Sequence, residues 1–234
     1  MDYRIRGFGA CMIEGFPHRY EDSCFHHALE QLRKETAHNI ISSLFTMGGF
    51  PINRIPKHLE SKCLAARPDI VVLQFGTSDL VVPVRRQRRS DGSISAAHRS
   101  TSANPATQFD RLKWLSQGFL GDVFRLMPVT PPEIYLENMK LLTQTLLEHQ
   151  VIPVVLSPFV FGGQRSDRIT RDCAGRLQQS VAALPKAVYV DAYAALDRHP
   201  RWRMLLGDGT HLSIEGQKVV GDALFLCLKK LIDD

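Results

Sequence analysis

Ile70 to Phe75 reads IVVLQF, a short continuous apolar run of the kind that forms a strand buried on both faces. Similar runs recur at Tyr3–Phe8, Asn39–Phe45, Val151–Leu156 and Ala187–Asp191, with helical periodicity between them. The spacing predicts helices over residues 21–37, 52–66, 168–183 and 213–231, and one of about 18 residues opened by Pro131-Pro132-Glu133. Strands alternating with helices of this length require right-handed crossovers and a parallel sheet. The expected fold is therefore a three-layer α/β/α sandwich, flavodoxin-like, with about five strands in a single domain over residues 1–234. Ligands of such sheets sit beyond the C-terminal strand ends. Gly9-Ala10-Cys11, Gly48-Gly49 and Gly76-Thr77-Ser78-Asp79 fall at those ends.

Residues 83–130 interrupt the rhythm. Arg85, Arg86, Arg88 and Arg89 open a basic stretch rich in Ser, Ala and Gly that reads as a mobile loop up to Asn104. From Pro105 to Met127 an amphipathic helical pattern follows, carrying Trp114, Phe119 and Phe124. The whole reads as a lid-like insertion able to cover the ligand end of the sheet. Trp114 and its aromatic neighbours form the core of that insertion or wall an acyl or sugar pocket. The four arginines are either a solvated loop or a docking site for an anionic partner, such as an acyl carrier protein or coenzyme A.

Composition narrows the class. Charged residues make up 23% and apolar residues 44%, which suits a globular chain and excludes collagen-like and disordered readings. No apolar run reaches the ~18 residues of a membrane span, and with Met1-Asp2-Tyr3-Arg4 at the start a secretory signal is not expected. The net charge of +5 mildly favours anionic partners; without an aromatic platform beside the arginines, nucleic acid is not expected. The five cysteines are odd in number and form no CxxC pair, so reduced thiols and a cytoplasmic setting are expected. Cys63, Cys173 and Cys227 read as structural. Cys24-Phe25-His26-His27 is a poor metal site, because adjacent histidines point apart on a helix, and no metal or organic cofactor is expected.

Two motifs carry chemistry. In Asp208-Gly209-Thr210-His211, just before the last helix, the carboxylate and imidazole can meet, so that Asp208 fixes one imidazole tautomer and stabilises the imidazolium. The same residues can also be mere helix caps. In Gly9-Ala10-Cys11-Met12-Ile13-Glu14-Gly15, flanking glycines allow a sharp turn that exposes the central side chain. A helix N-terminus at that point would favour a thiolate and an oxyanion.

With these residues in place the chain resembles the SGNH (GDSL-like) hydrolases. Gly9-Ala10-Cys11 is similar to the Gly-Asp-Ser block, Thr46-Met47-Gly48 to the second block, Gly76-Thr77-Ser78-Asp79 to Gly-x-Asn-Asp, and Asp208-Gly209-Thr210-His211 to Asp-x-x-His. The resemblance implies a nucleophile at Cys11, an Asp208–His211 pair, and an oxyanion hole from the Cys11 and Gly48 amides and Ser78. Thr77, Asp79 and Met12, within these blocks or beside them, and Trp114 of the insertion are expected at the substrate. The chain departs from the pattern at Cys11 for Ser, Ala10 for Asp, Thr46 for Asn and Ser78 for Asn. A thiol is intrinsically nucleophilic and is activated by an adjacent histidine. Loss of an oxyanion donor costs about 2.7–4 kcal/mol, and shortening one costs less. These changes lean toward acyl transfer or thioester chemistry on a small-molecule ester or thioester. A non-catalytic scaffold on a degenerate fold, and a carbohydrate O-acyl esterase or transferase, are the other readings.

Overall fold

The computed structural model describes residues 1–82 and 104–233, together with the backbone of Arg86–Arg88 and Ile94–Ala96. Five strands form one parallel sheet: β1 (Asp2–Gly9), β2 (Asn39–Thr46), β3 (Ile70–Gln74), β6 (Ile152–Leu156) and β7 (Val188–Val190). Two short strands between them, β4 (Arg86–Arg88) and β5 (Ile94–Ala96), pair antiparallel as a hairpin. The sheet order is β2-β1-β3-β6-β7, the flavodoxin-like arrangement, with the chain reversing its direction of travel between β1 and β3. At that switch point β1 and β3 run in register from Ile5↔Ile70 to Gly9↔Gln74. A side chain at Gly9 would come within 2.5 Å of the Gln74 carbonyl, so only glycine lets the two strand ends close.

Two apolar layers sandwich the sheet. On one face α1 (Cys24–Glu35) and α9 (Ile214–Asp233) bury Phe25, Leu29, Leu32, Leu224 and Leu228 against Ile5, Val72 and Val154. On the other, α5 (Pro132–Glu148) and α6 (Gln164–Ala182) bury Met139, Leu142 and Leu177 against Phe8, Val71 and Leu73. Each strand alternates between these layers, and the central strands are apolar on both faces, which produces the continuous runs seen in the sequence. The short helices α2 (Leu59–Lys62), α3 (Thr77–Leu80), α7 (Ala192–Asp197) and α8 (Arg201–Met204) complete the set, with α4 (Gln108–Val123) in the insertion.

Two expectations change. The segment 52–66 is not one helix. It is a chain of 3-10 turns around α2, broken at Pro56, whose Ile52, Ile55, Leu59 and Cys63 are buried at spacings that imitate a helix. The first helix starts at Cys24, where the Ser23 hydroxyl accepts the His26 N–H at 3.1 Å. The basic stretch lies largely outside the described residues: Arg85 and Arg89 are not described, nor are the side chains of Arg86 and Arg88. From Asn104 onward the insertion is described. The side chain of Thr107 accepts from the Asp110 amide and Asp110 reaches back to the Thr107 N–H, a reciprocal cap that starts α4. Among the described residues no helix is long and apolar enough to cross a membrane.

Candidate active site

Cys11 leaves the end of β1 and enters a run of turns, in which the Ile13 amide bonds the Ala10 carbonyl at 3.2 Å and the Phe16 amide the Cys11 carbonyl at 3.0 Å. Cys11 therefore sits on turns and not on the first turn of a helix. Its Sγ lies 3.5 Å from His211 Nε2, although 200 positions separate the two residues. His211 Nδ1 lies 2.6 Å from Asp208 Oδ2. The other oxygen, Asp208 Oδ1, accepts the backbone amides of Thr210 at 2.9 Å and His211 at 3.0 Å. Thiol, imidazole and carboxylate thus form one continuous line.

Burial pulls the imidazole and the carboxylate in opposite ways. Burial alone would push His211 down. The hydrogen bonds to Asp208 and Cys11 outweigh it and raise His211 to about 9. Burial would raise Asp208, but the bond and charge of His211 and the two amides hold its carboxyl below the usual range. The Phe16 ring meets the imidazole edge-on, with centroids 5.1 Å apart, and shields it from one side. Phe16 lay outside the sequence motifs; its only signal was a position just beyond the turn Glu14-Gly15.

The loop carrying Asp208 and His211 is held at several points. Leu206 donates to the His211 carbonyl at 2.8 Å, Gly162 to the Gly209 carbonyl at 2.9 Å, and Gly207 to the Asn104 carbonyl at 3.2 Å. Trp114 of α4 is buried against this loop. A Cβ at Gly209 would lie 2.6 Å from Trp114 Nε1, and Gly209 has φ +68°, so both space and backbone demand glycine. Behind the loop, the Ser213 hydroxyl accepts the Gly216 amide at 3.1 Å and fixes the start of α9.

The nucleophile side is looser. Gly48 lies against Cys11: a Cβ there would stand 3.6 Å from Cys11 Cβ and 3.8 Å from Cys11 N, an ordinary contact. Among the described residues the amides of Cys11 and Gly48 donate to no protein acceptor, which leaves two donors on this side for an oxyanion. Ser78 is half-buried on α3, shortly beyond the Gln74 end of the strand that pairs with β1. Thr46 is turned away, its hydroxyl donating to Glu14 Oε2 at 2.6 Å.

The residues expected at the substrate mostly support the site from below. Met12 is fully buried in the core, because the turn after Cys11 rotates it inward. Asp79 is buried, and its Oδ1 accepts the Ile52 amide at 2.9 Å and the Thr130 hydroxyl at 2.6 Å, so it ties two loops to α3. Burial pushes its carboxyl up to about 6 against those two bonds. Thr77 is buried, with a hydroxyl that has no partner among the described residues. Trp114 is a support for the catalytic loop and presents almost no surface. Beside the site, Phe16 also walls an open cleft of about 590 Å³, whose other lining includes Glu14, His18, Tyr20, Ser42 and Ser43.

Burial pushes Cys24, Cys63 and Cys173 up to about 12 and Cys227 up to about 11. Among the described residues no group of three or more His, Cys, Asp or Glu side chains is placed to hold a metal ion.

Comparison with known proteins gives a consistent result. Residues 8–219 match the family described as GDSL-like Lipase/Acylhydrolase. No curated protein matches the chain. A lipase/acylhydrolase from Enterococcus faecalis superposes with a TM-score of 0.69 at 15% identity, covering 98% of this chain and 96% of that one. Axe2, an acetylxylan esterase from Geobacillus stearothermophilus, superposes at 0.63 and 12% identity, covering 96% and 93%. The psychrotrophic esterase EstA from Pseudoalteromonas sp. gives 0.62 at 11%, covering 99% and 100%. At these identities the likeness is one of fold.

Proposed function

The chain belongs to the GDSL-like lipase/acylhydrolase family, and we propose that within it this protein is a thiol-dependent acyl enzyme with Cys11 as nucleophile, His211 as base and acid, and Asp208 as the group that orients the imidazole. The observation that carries this reading is the unbroken line from Cys11 Sγ to His211 Nε2 at 3.5 Å and from His211 Nδ1 to Asp208 at 2.6 Å.

The chemistry follows from that line. The Cys11 proton passes to His211 Nε2, and the buried Asp208 carboxylate stabilises the imidazolium. An imidazolium that persists up to about pH 9 is a fitting partner for a thiolate. Sulfur attacks the carbonyl carbon of an ester or thioester. The oxyanion is received by the Cys11 and Gly48 amides, with the Ser78 hydroxyl as a third donor. The carbonyl then re-forms, the bond to the leaving oxygen or sulfur breaks, and His211 supplies the leaving group with its proton. The acyl chain is now a thioester on Cys11. Water or an acceptor hydroxyl, amine or thiol gives a proton to His211 and attacks that thioester, which releases the acyl product and restores the thiolate–imidazolium pair.

The open cleft walled by Phe16 and Leu44 also carries polar side chains and favours a second reading of the acceptor or leaving group. A carboxylate, an imidazole, a phenol and two hydroxyls around one opening suit a polyhydroxylated molecule. This supports a carbohydrate O-acyl ester as substrate or product.

The test is intact-mass measurement after incubation with short acyl thioesters. The wild-type chain gains one acyl group, mapped to Cys11, while the other four cysteines remain unmodified and Cys11→Ala gains none. Absence of both adduct and turnover across acetyl, butyryl and octanoyl thioesters and their aryl ester counterparts would overturn the proposal. Acetylated sugars in the same assay separate the two substrate classes.

A further inference from the structure

The helix α4 has two apolar faces, and the fold uses one of them. Trp114, Gly118 and Gly121 are buried against α6 and the catalytic loop: Gly118 approaches Gln164, Gly121 approaches Arg165, and Trp114 lies on Gly162 and Gly209. At about 3.6 residues per turn, Phe109, Leu112, Phe119 and Val123 project from the opposite side, with Leu115 and Leu120 at its margins. These side chains are in the open: Phe109 is 83% exposed, Phe119 66% and Leu112 64%. Phe124, just past the helix, continues the stripe at 66%. Scattered exposed apolar residues are ordinary, but a continuous stripe along a whole helix marks an interaction surface.

Charge indicates what covers it. Over the described residues 104–130, the cations are Arg111, Lys113 and Arg125 and the acidic groups are Asp110 and Asp122. On α4 itself both acidic groups are engaged by the protein. Asp110 caps the helix through Thr107, and Asp122 pairs with Arg165 and Arg168 at 3.1 and 2.7 Å. Arg111 and Lys113 are exposed and fall on either flank of the apolar stripe, and exposed Arg125 follows at its end. An apolar face with cations along its borders is the pattern of a helix that lies in a lipid–water interface. Its aromatic and aliphatic side chains enter the acyl boundary while the cations meet anionic headgroups.

We propose that the α4 stripe docks the protein on an anionic lipid bilayer, as a peripheral contact without any spanning segment. A second copy of this chain fits the observations less well, because two copies meeting at this face would bring their like-charged borders together. The anchored side of α4 carries the Trp114 contact with the Asp208–His211 loop, so docking would set the candidate active site about one helix diameter from the membrane.

The proposal is independent of the acyl chemistry, and its test reads binding alone. The full chain is sedimented with vesicles of phosphatidylcholine, with and without phosphatidylglycerol. It is expected to partition onto the phosphatidylglycerol vesicles, to be released as salt rises, and to stay in solution with phosphatidylcholine alone. The double variant Phe109→Ser/Phe119→Ser is expected to bind about a hundredfold more weakly, and Arg111→Glu/Lys113→Glu about tenfold more weakly. Both are expected to keep the wild-type melting temperature within ~2 °C, since these side chains are exposed. Failure of the wild type to sediment with either vesicle, or equal partition onto both, would overturn the proposal. So would a serine variant that binds as wild type. A concentration-dependent dimer in analytical ultracentrifugation that the serine variant abolishes, without vesicle binding, would assign the stripe to self-association and equally overturn it.

Discussion

On the imidazole side of the candidate site both Asp208 oxygens have partners, the supporting loop is bonded to Gly162 and Asn104, and Trp114 is seated on Gly209. On the side of the proposed nucleophile, Cys11 sits on a run of turns, Thr46 is turned toward Glu14, and Ser78 stands where the resemblance expects a longer amide. One half handles protons through fixed, buried side-chain contacts. The other depends on backbone amides. Under the proposed mechanism, the cysteine at the position of the family's serine falls in the half with fewer side-chain anchors, where a thiolate would need less help to attack than a hydroxyl. The contrast implies a ranking of effects, in which disturbing the imidazole side costs most.

The largest effect is therefore expected from His211→Ala, with acyl transfer to Cys11 slowed about 10⁴-fold. Asp208→Asn follows at up to about 10⁴-fold, because its oxygen would stay on the Thr210 and His211 amides and its NH2 would then donate to Nδ1 and hold the imidazole in the wrong tautomer. Single-turnover acylation measures both. Stability carries the same signature. His211 titrates at about 9 in the folded chain against 6.5 for a free imidazole, so its contribution is complete below about pH 6.5 and is lost as pH rises through about 9. The wild type is expected to lose up to about 3 kcal/mol across that window, with His211→Ala flat there. Urea melts at pH 6 and pH 9.5 test this, and equal slopes for the two proteins would break the comparison.

Next come two glycines, one on each side. Gly209→Ala places a methyl within 2.6 Å of Trp114 at a φ of +68°, and about 2–3 kcal/mol of stability is expected to go with it. Gly48→Ala meets only ordinary contacts near Cys11, so less than about 0.5 kcal/mol is expected. Thermal unfolding decides. If Gly48→Ala proves the more damaging, the nucleophile side is the tighter half and the ranking is inverted.

The sheet and most of the helices were legible in the sequence because buried parallel strands leave unbroken apolar runs such as Ile70–Leu73, and flanking helices leave a period. What was not legible depended on direction in three dimensions. Ile52, Ile55, Leu59 and Cys63 repeat at helical spacing, yet the prolines beside them force a chain of short turns. Met12 and Asp79 lie next to motif residues in the chain, but the turn after β1 and the short α3 rotate them into the protein. Trp114 was visible as an apolar residue of the insertion. That it rests on Gly209 depends on a packing between α4 and a loop nearly a hundred residues later, which no local pattern encodes.

Asp79 tests whether the nucleophile side is fastened from beneath by charge or by hydrogen bonds alone. Its carboxyl is raised from 3.8 to about 6, so its ionisation works against folding, and that burden grows as pH rises from about 4 to about 6. Asparagine keeps an oxygen for the Ile52 amide and the Thr130 hydroxyl while removing the buried charge. Asp79→Asn is therefore expected to be more stable than wild type by about 1–2 kcal/mol at pH 8 and to match it near pH 4. A loss of stability at pH 8 would mean that the charge itself strengthens those two bonds by more than its burial costs.

The smallest effect is expected at Ser78. Its hydroxyl is shorter than the amide of the family pattern and half-exposed, and the Cys11 and Gly48 amides remain as donors when it is removed. Ser78→Ala should slow acylation by less than about tenfold, well under the ~10²–10³ of a full oxyanion donor. Lengthening the donor in Ser78→Asn sharpens the point: if the nucleophile side is under-equipped, an oxygen ester gains more than a thioester, because the poorer leaving group depends more on oxyanion stabilisation. A hundredfold loss in Ser78→Ala would show instead that this side is as preorganised as the imidazole side. The cysteine would then have to be explained by the acceptor it serves and not by a weakened oxyanion hole.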